Sequence, residues 1–346
     1  MARPSRVAWT LLALCAALAA APGAAQAHGP VAPVASSYLA RIERLPPGLD
    51  AKVVDGDQKM WLRVPGTETV VVLDYRGAPY LRFSATGVEV NRNSTMYYLN
   101  QTPVALAAPA NLTPSTPPHW QRLGGGHEYG WHDGRLHAFA AVALAPGTRF
   151  VGPWRVPLLV DGQLSAISGG LWYAPDPSLV WFWPIVVLLL CVLAAWRVRI
   201  ASLDARVARA LGIVALLAIG TAAAGQELHG HPGVTVLQLI ELAAILAFVA
   251  WALQRVLLRR PGYFTYVVIG FVSLWQGVLL IPTLRNGFVL IAIPAFVARA
   301  ASVLGIGAGL ALLLLGFRLA DNAAASPAAD DRAAERSEDE TAWELS

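Results

Sequence analysis

The sequence predicts an extracytoplasmic all-β sandwich followed by a C-terminal bundle of about five transmembrane helices. Three observations predict it. An export-type leader opens the chain, short β-prone runs broken by turn residues fill residues 28–177, and five apolar runs near spanning length follow.

Residues 1–27 read as a cleavable signal peptide. Arg3 and Arg6 form the basic start, Val7–Ala20 the apolar core, and Ala25-Gln26-Ala27 the small-x-small cleavage site. Cleavage there makes His28 the new N-terminus. Of the 346 residues, 56% are apolar and 14% charged, a membrane-like balance. The two cysteines, Cys15 and Cys191, fall in the leader and the first apolar run. The exported domain, residues 28–177, therefore folds without a disulfide and offers no thiolate. The net charge of +4 is spread along the chain, and no basic stripe interleaves with aromatics, so nucleic acid is not an expected partner. Basic residues are mostly Arg and Ala is abundant, a composition that suggests a bacterial source.

In the exported domain, strands are expected at Ala51–Val54, Met60–Val64, Thr69–Leu73, Tyr80–Phe83, Val88–Val90 and Met96–Leu99. Others are expected at His127–His132, Arg135–Val142, Trp154–Val160 and Ile167–Tyr173. Many short strands at this spacing argue for an immunoglobulin- or cupredoxin-like sandwich. The Pro-, Ala- and Thr-rich stretch Thr102–Pro118 reads as a long exposed loop.

The membrane module, residues 178–318, has apolar runs at Leu179–Trp196, Ala210–Gly225, Val234–Leu253, Tyr263–Ile281 and Ala300–Phe317. Each approaches the roughly 20 residues a bilayer demands. Arg197, Arg199, Arg206 and Arg209 flank the first connection, and Arg255, Arg259 and Arg260 the third. Positive charge inside then puts residues 28–177 outside the plasma membrane and the tail in the cytoplasm. Phe288–Val297, split by Pro294, is too short to span and reads as an interfacial segment. Gly305 and Gly309 form a small-xxx-small pair suited to helix packing in lipid. Residues 319–346, rich in Ala, Asp and Glu, read as a disordered tail.

Seven histidines are present, all on the predicted outer side, and six of them, all but His119, are candidate metal ligands. The densest run is GGGHEYGWHDGRLHAF, with His127, His132 and His137. Asp133-Gly134 is a two-residue hairpin signal that puts His132 and His137 on one face as diagonal neighbours. His127 has the opposite parity. His28 would offer an amine–imidazole chelate suited to Cu(II). In the membrane half, His229 and His231 sit in an outer loop above Glu241. A carboxylate within a span is a functional candidate, although pairing of Glu241 with Arg299 would serve structure alone. No polar series continues through the inner half of the spans, which favours binding or delivery over a channel.

The start His28-Gly29-Pro30-Val31-Ala32 after Ala27, and the stretch LAPGTRFVGPWRVPLLVDGQLSAISGGLWYAP at Leu144–Pro175, resemble the two ends of CopC-type copper-resistance domains. The resemblance implies a β-sandwich that ligates Cu(II) through an N-terminal His and an Asp-Gly-His turn. The matching positions are His28, Asp161 and Gln163, so the last ligand is replaced by glutamine and an imidazole from His132 or His137 would have to supply it. A membrane module after such a domain is similar to the CopC–CopD pairing. The expected function is thus that of a membrane-anchored copper-binding or copper-handling protein. Its partners would be the lipid bilayer and a copper ion or copper-carrying exported protein. The alternative is a metal-free protein whose β-domain binds another exported protein. The exported domain holds no Gly-x-Ser-x-Gly elbow, His-Glu-x-x-His helix or phosphate-binding loop that would mark an enzyme.

Overall fold

A computed structural model describes residues 33–101, 106–140, 144–198, 200–230, 232–258 and 261–344. The expected signal peptide and His28 lie outside these residues, as does His231.

The N-terminal part is built of antiparallel strands: β1 (Ala35–Ser36), β2 (Tyr38–Arg44), β3 (Asp50–Val54), β4 (Lys59–Arg63), β5 (Val70–Leu73), β6 (Pro79–Ser84) and β7 (Gly87–Asn91). A short helix α1 (Thr95–Leu99) precedes β8 (Trp120–Gly124), β9 (Glu128–His132), β10 (Phe150–Val160) and β11 (Gln163–Tyr173). One sheet runs β2-β11-β10-β5-β6-β7-β8 and a second runs β3-β4-β9. Alternation along the strands aims Met60, Leu62 and Trp131 of the smaller sheet, and Val70, Leu81, Phe83, Val156 and Ile167 of the larger, into one shared core. Full burial of such side chains contributes about 1.5–3 kcal/mol each.

Two expected strands form otherwise. Met96–Leu99 lies in α1, because Ser94 caps the helix by accepting from Met96 N, and buried Asp74 accepts from Ser94 Oγ at 2.9 Å and Thr95 Oγ1 at 3.0 Å. Arg135–Val142 is no strand over its described part either. Gly134–His137 is a 3₁₀ turn capped by the Asp133 carboxylate, and the Asp133-Gly134 hairpin does not form. Asp133 is fully buried and accepts from Trp131 Nε1 at 2.9 Å, Arg135 Nε at 2.8 Å and Arg135 Nη2 at 2.7 Å. Leu136 enters the core in the same turn. A carboxylate so engaged cannot sit at an exposed hairpin tip. The hairpin that Asp-Gly does build is Asp161-Gly162, with φ of 47° and 80° and Val160 paired to Gln163.

The helices are α2 (Trp183–Val198), α3 (Ala201–Glu227), α4 (Val236–Leu258), α5 (Tyr263–Leu279), the short α6 (Pro282–Arg285) and α7 (Ala295–Glu344). Among the described residues, Ser202–Glu227, Val236–Leu258 and Ala295–Ala320 are long and apolar enough to cross a membrane, while Leu179–Leu190 and Tyr263–Leu279 are shorter apolar helices. The backbone of α7 stays helical to Glu344, through the segment expected to be unstructured. Its many alanines are the strongest helix formers. Close packing joins α5 to α7. Ser273 Oγ donates to Gly305 O at 3.0 Å and Ser302 Oγ donates to Gly277 O at 2.9 Å. A Cβ on Gly277 would lie 2.7 Å from Ile306 N, and one on Gly309 2.7 Å from Leu274 N. The small-xxx-small pair thus works as a contact face. Asp204 of α3 and Arg318 of α7 form a buried ion pair at 2.9 Å.

The segment expected to be interfacial ties the two parts together. Phe288–Val289 forms β12 against β1, and Leu290 N donates to Val34 O at 2.8 Å. Extended backbone there finds its partners in the β-rich part, which a short apolar segment cannot find in lipid. Arg299 of α7 braces this strap by donating to the carbonyl oxygens of Thr283 at 2.9 Å and Gly287 at 3.2 Å.

Candidate metal centre

His132 ends β9, and His137 ends the 3₁₀ turn that follows. Lys59 pairs with His132 across β4 and β9, which sets the His132 side chain on the sheet face opposite Trp131. Asp133 and Leu136 then bend the chain back, so the two imidazoles come together with ring centroids 5.4 Å apart at 42°. Imidazoles bound through nitrogen at about 2.0 Å to one ion have centroids roughly 4.5–6 Å apart. The pair therefore has the spacing of two ligands to one metal.

The β3–β4 turn supports it. Its Asp55 and Gly56 adopt φ of 61° and 83°, which carries the chain back over the sheet end. His137 Nδ1 lies 3.2 Å from the Asp57 carbonyl oxygen. A carbonyl only accepts, so Nδ1 carries the proton and Nε2 keeps its lone pair, the tautomer a metal ligand needs. The next carbonyl, of Gln58, accepts from Asp133 N at 3.1 Å and favours the His132 cation. Burial pushes the Asp57 carboxyl up, against the pull of His137 and His132. Partial burial pulls His132 below the ordinary histidine value, and the neighbouring His137 adds to this. A neutral imidazole near pH 7 is the ligating form.

The other sequence candidates are not gathered here. His127 sits at the far end of β9, about 16 Å along the strand, exposed, with its carbonyl accepting from Val64 N at 2.9 Å. Asp161 accepts from Thr69 N at 2.8 Å, and Val160 pairs with Val70 at the start of β5. Arg135 instead donates to Leu73 O at the end of β5, so Asp161 and the histidine pair flank opposite ends of that strand, about 10 Å apart along it. The His229 carbonyl accepts from Gln238 Nε2 at 3.2 Å, and Lys52 Nζ reaches Pro232 O at 3.2 Å, which docks this loop on β3. Glu241 is exposed on α4, near Glu227 of α3. The alternative pairing of Glu241 with Arg299 is not found among the described residues, where Arg299 donates to the strap carbonyls instead. Among the described residues, no group of three or more His, Cys, Asp or Glu side chains is set to hold a metal ion.

Asp57 and Gln58 were missed in the sequence. The signal was the Asp55-Gly56 turn, which ends β3 and starts the strand whose Lys59 pairs with His132.

No family model matches this chain, and no curated protein or solved structure is found to be similar to it.

Proposed function

We propose that this chain is a membrane-anchored, extracytoplasmic copper-binding or copper-handling protein. The observation that carries the reading is the pair of imidazoles 5.4 Å apart, one of them held by the Asp57 carbonyl in the tautomer that frees its Nε2. Nitrogen ligands suit copper, and among divalent first-row ions copper binds such sites most tightly. Two protein ligands leave coordination positions open. That arrangement fits an ion taken up and passed on better than one locked in place.

The setting supports the same reading. The two sheets and their shared core fit a β-sandwich of immunoglobulin or cupredoxin type, and the final hairpin has the form that the CopC-type resemblance implies. The three helices of spanning length, with the two shorter apolar ones, fit a bundle of five spans. Arg197, Arg206, Arg255 and Arg318 would then face the cytoplasm and the β-domain the outside of a plasma membrane. His28, freed by cleavage after Ala27, remains a candidate further ligand.

A second reading is favoured by one surface feature. Leu164, beside the Asp161-Gly162 hairpin tip, is 70% exposed. A metal-free protein that docks another exported protein would use such a side chain. Cu(II) titration of the full-length protein in detergent, with Leu164→Ser and His132→Ala variants side by side, separates the two. The copper reading requires binding that His132→Ala weakens and Leu164→Ser keeps. Absence of binding to the wild-type protein would overturn it.

A further inference from the structure

The least covered span carries a carboxylate. Only 11% of the most apolar window of α4 is buried, against 50% for α3 and 61% for α7. Leu237, Ile240 and Trp251 of α4 are exposed at 46%, 60% and 45%. On the same helix, Glu241 is exposed about 7.5 Å below Val236 at the usual helical rise. No ion pair of Glu241 is found among the described residues, and the like-charged Glu227 stands close enough to interact with it. A carboxylate facing lipid at that depth is costly, and such residues face protein in nearly all membrane bundles.

The complementary group stands on this chain. Arg285 ends α6, just beyond the outer end of α5, and is exposed without a hydrogen bond or ion pair among the described residues. Below it, α5 exposes Trp275 at 57%, Val278 at 42% and Leu279 at 38%. The end of α3 lies beside the end of α5, since Gln226 Nε2 donates to Gln276 Oε1 at 3.2 Å. The start of α4 is joined to the end of α3 by an eight-residue loop, residues 228–235. Glu241 and Arg285 therefore stand near the same end of the helical part, on different apolar faces.

We propose that a second copy of this chain covers α4, its α5 face packing on Leu237, Ile240 and Trp251 with its Arg285 against Glu241. The contact is head-to-tail, with α4 of each copy covered by α5 of the next, the arrangement that forms a ring where its rotation about the membrane normal closes. The proposal rests on α4 and α5 crossing the membrane and is independent of any metal.

The test is the oligomeric state of the full-length protein in lipid nanodiscs, read by native mass spectrometry. Wild type, Glu241→Arg, Arg285→Glu and the double charge swap are compared. The expected result is an oligomer in the wild type, monomers in each single variant, and an oligomer again in the double swap. A monomeric wild type overturns the proposal. So does an oligomer indifferent to the single swaps, or a double swap that keeps the wild-type circular dichroism yet stays monomeric. Resistance of the protein to alkaline extraction from membranes tests the spanning reading separately.

Discussion

His137 Nδ1 donates to the Asp57 carbonyl at 3.2 Å, and this bond leaves Nε2 of His137 as the nitrogen with a free lone pair, in a ring whose centroid lies 5.4 Å from that of His132. Two residues eighty positions apart in sequence thus set the chemistry of the candidate site. Because the acceptor is backbone, the tautomer survives side-chain changes at position 57. Asp57→Asn is expected to change copper affinity less than tenfold, whereas His137→Ala lowers it a hundredfold or more. Parallel calorimetric titrations check both.

His132 titrates below the ordinary histidine value, first because partial burial penalises its charge and second because His137 repels it. The sign follows. The unfolded chain binds the proton more readily, so the contribution to stability is complete above about pH 6.5 and falls as pH drops through that value toward the lower, folded one. His137→Ala should raise the His132 midpoint toward the ordinary value without reaching it, as burial remains. Carbon-13 NMR of labelled histidine measures it.

Asp133 is the structural hub beside the site. It is fully buried and pairs with Arg135 at 2.7 Å. Asp133→Ala takes the carboxylate from the largely buried Arg135 guanidinium, which keeps only Leu73 O as an oxygen acceptor, and leaves the Trp131 Nε1 donor without its partner, a cost of about 3–5 kcal/mol for breaking a buried pair. It should also release the 3₁₀ turn and separate the two imidazoles. Chemical denaturation followed by tryptophan fluorescence gives the first effect, and loss of copper binding the second.

Much of the β-rich part was legible. Runs around Met60, Val72, Leu81, Val156 and Ile167 are β-prone, and each forms a strand of the core. What was not legible depends on partners distant in sequence. Ser94 and Thr95 start a helix because Asp74, twenty residues earlier, bonds to them. Three Asp-Gly pairs look alike as turn signals. Only Asp161-Gly162 makes the two-residue hairpin. Asp55-Gly56 opens a longer turn, and Asp133-Gly134 caps a 3₁₀ turn because Trp131 and Arg135 claim the carboxylate. The meeting of His132 and His137 was expected, but through a hairpin that does not form. The strap at Phe288–Val289 was hidden because its strand partner, Ala35–Ser36, lies some 250 residues away.

The α5–α7 contact gives another test. Gly277→Leu cannot be accommodated beside Ile306 N and Ser302 O, at 2.7 and 2.9 Å from the site of the new Cβ. It should abolish the folded helical part, seen as aggregation on size-exclusion chromatography in detergent. Ser302→Ala, which removes only the bond to Gly277 O, should cost about 0.6 kcal/mol, the average for such bonds in membranes.

The most direct measurement is a Cu(II) titration of the full-length protein followed by electron paramagnetic resonance, with His132→Ala and His137→Ala beside the wild type. The account predicts one-to-one binding with nitrogen hyperfine structure, weakened in each variant and absent in the double variant. A wild-type spectrum unchanged in the double variant, or no binding at all, would contradict it.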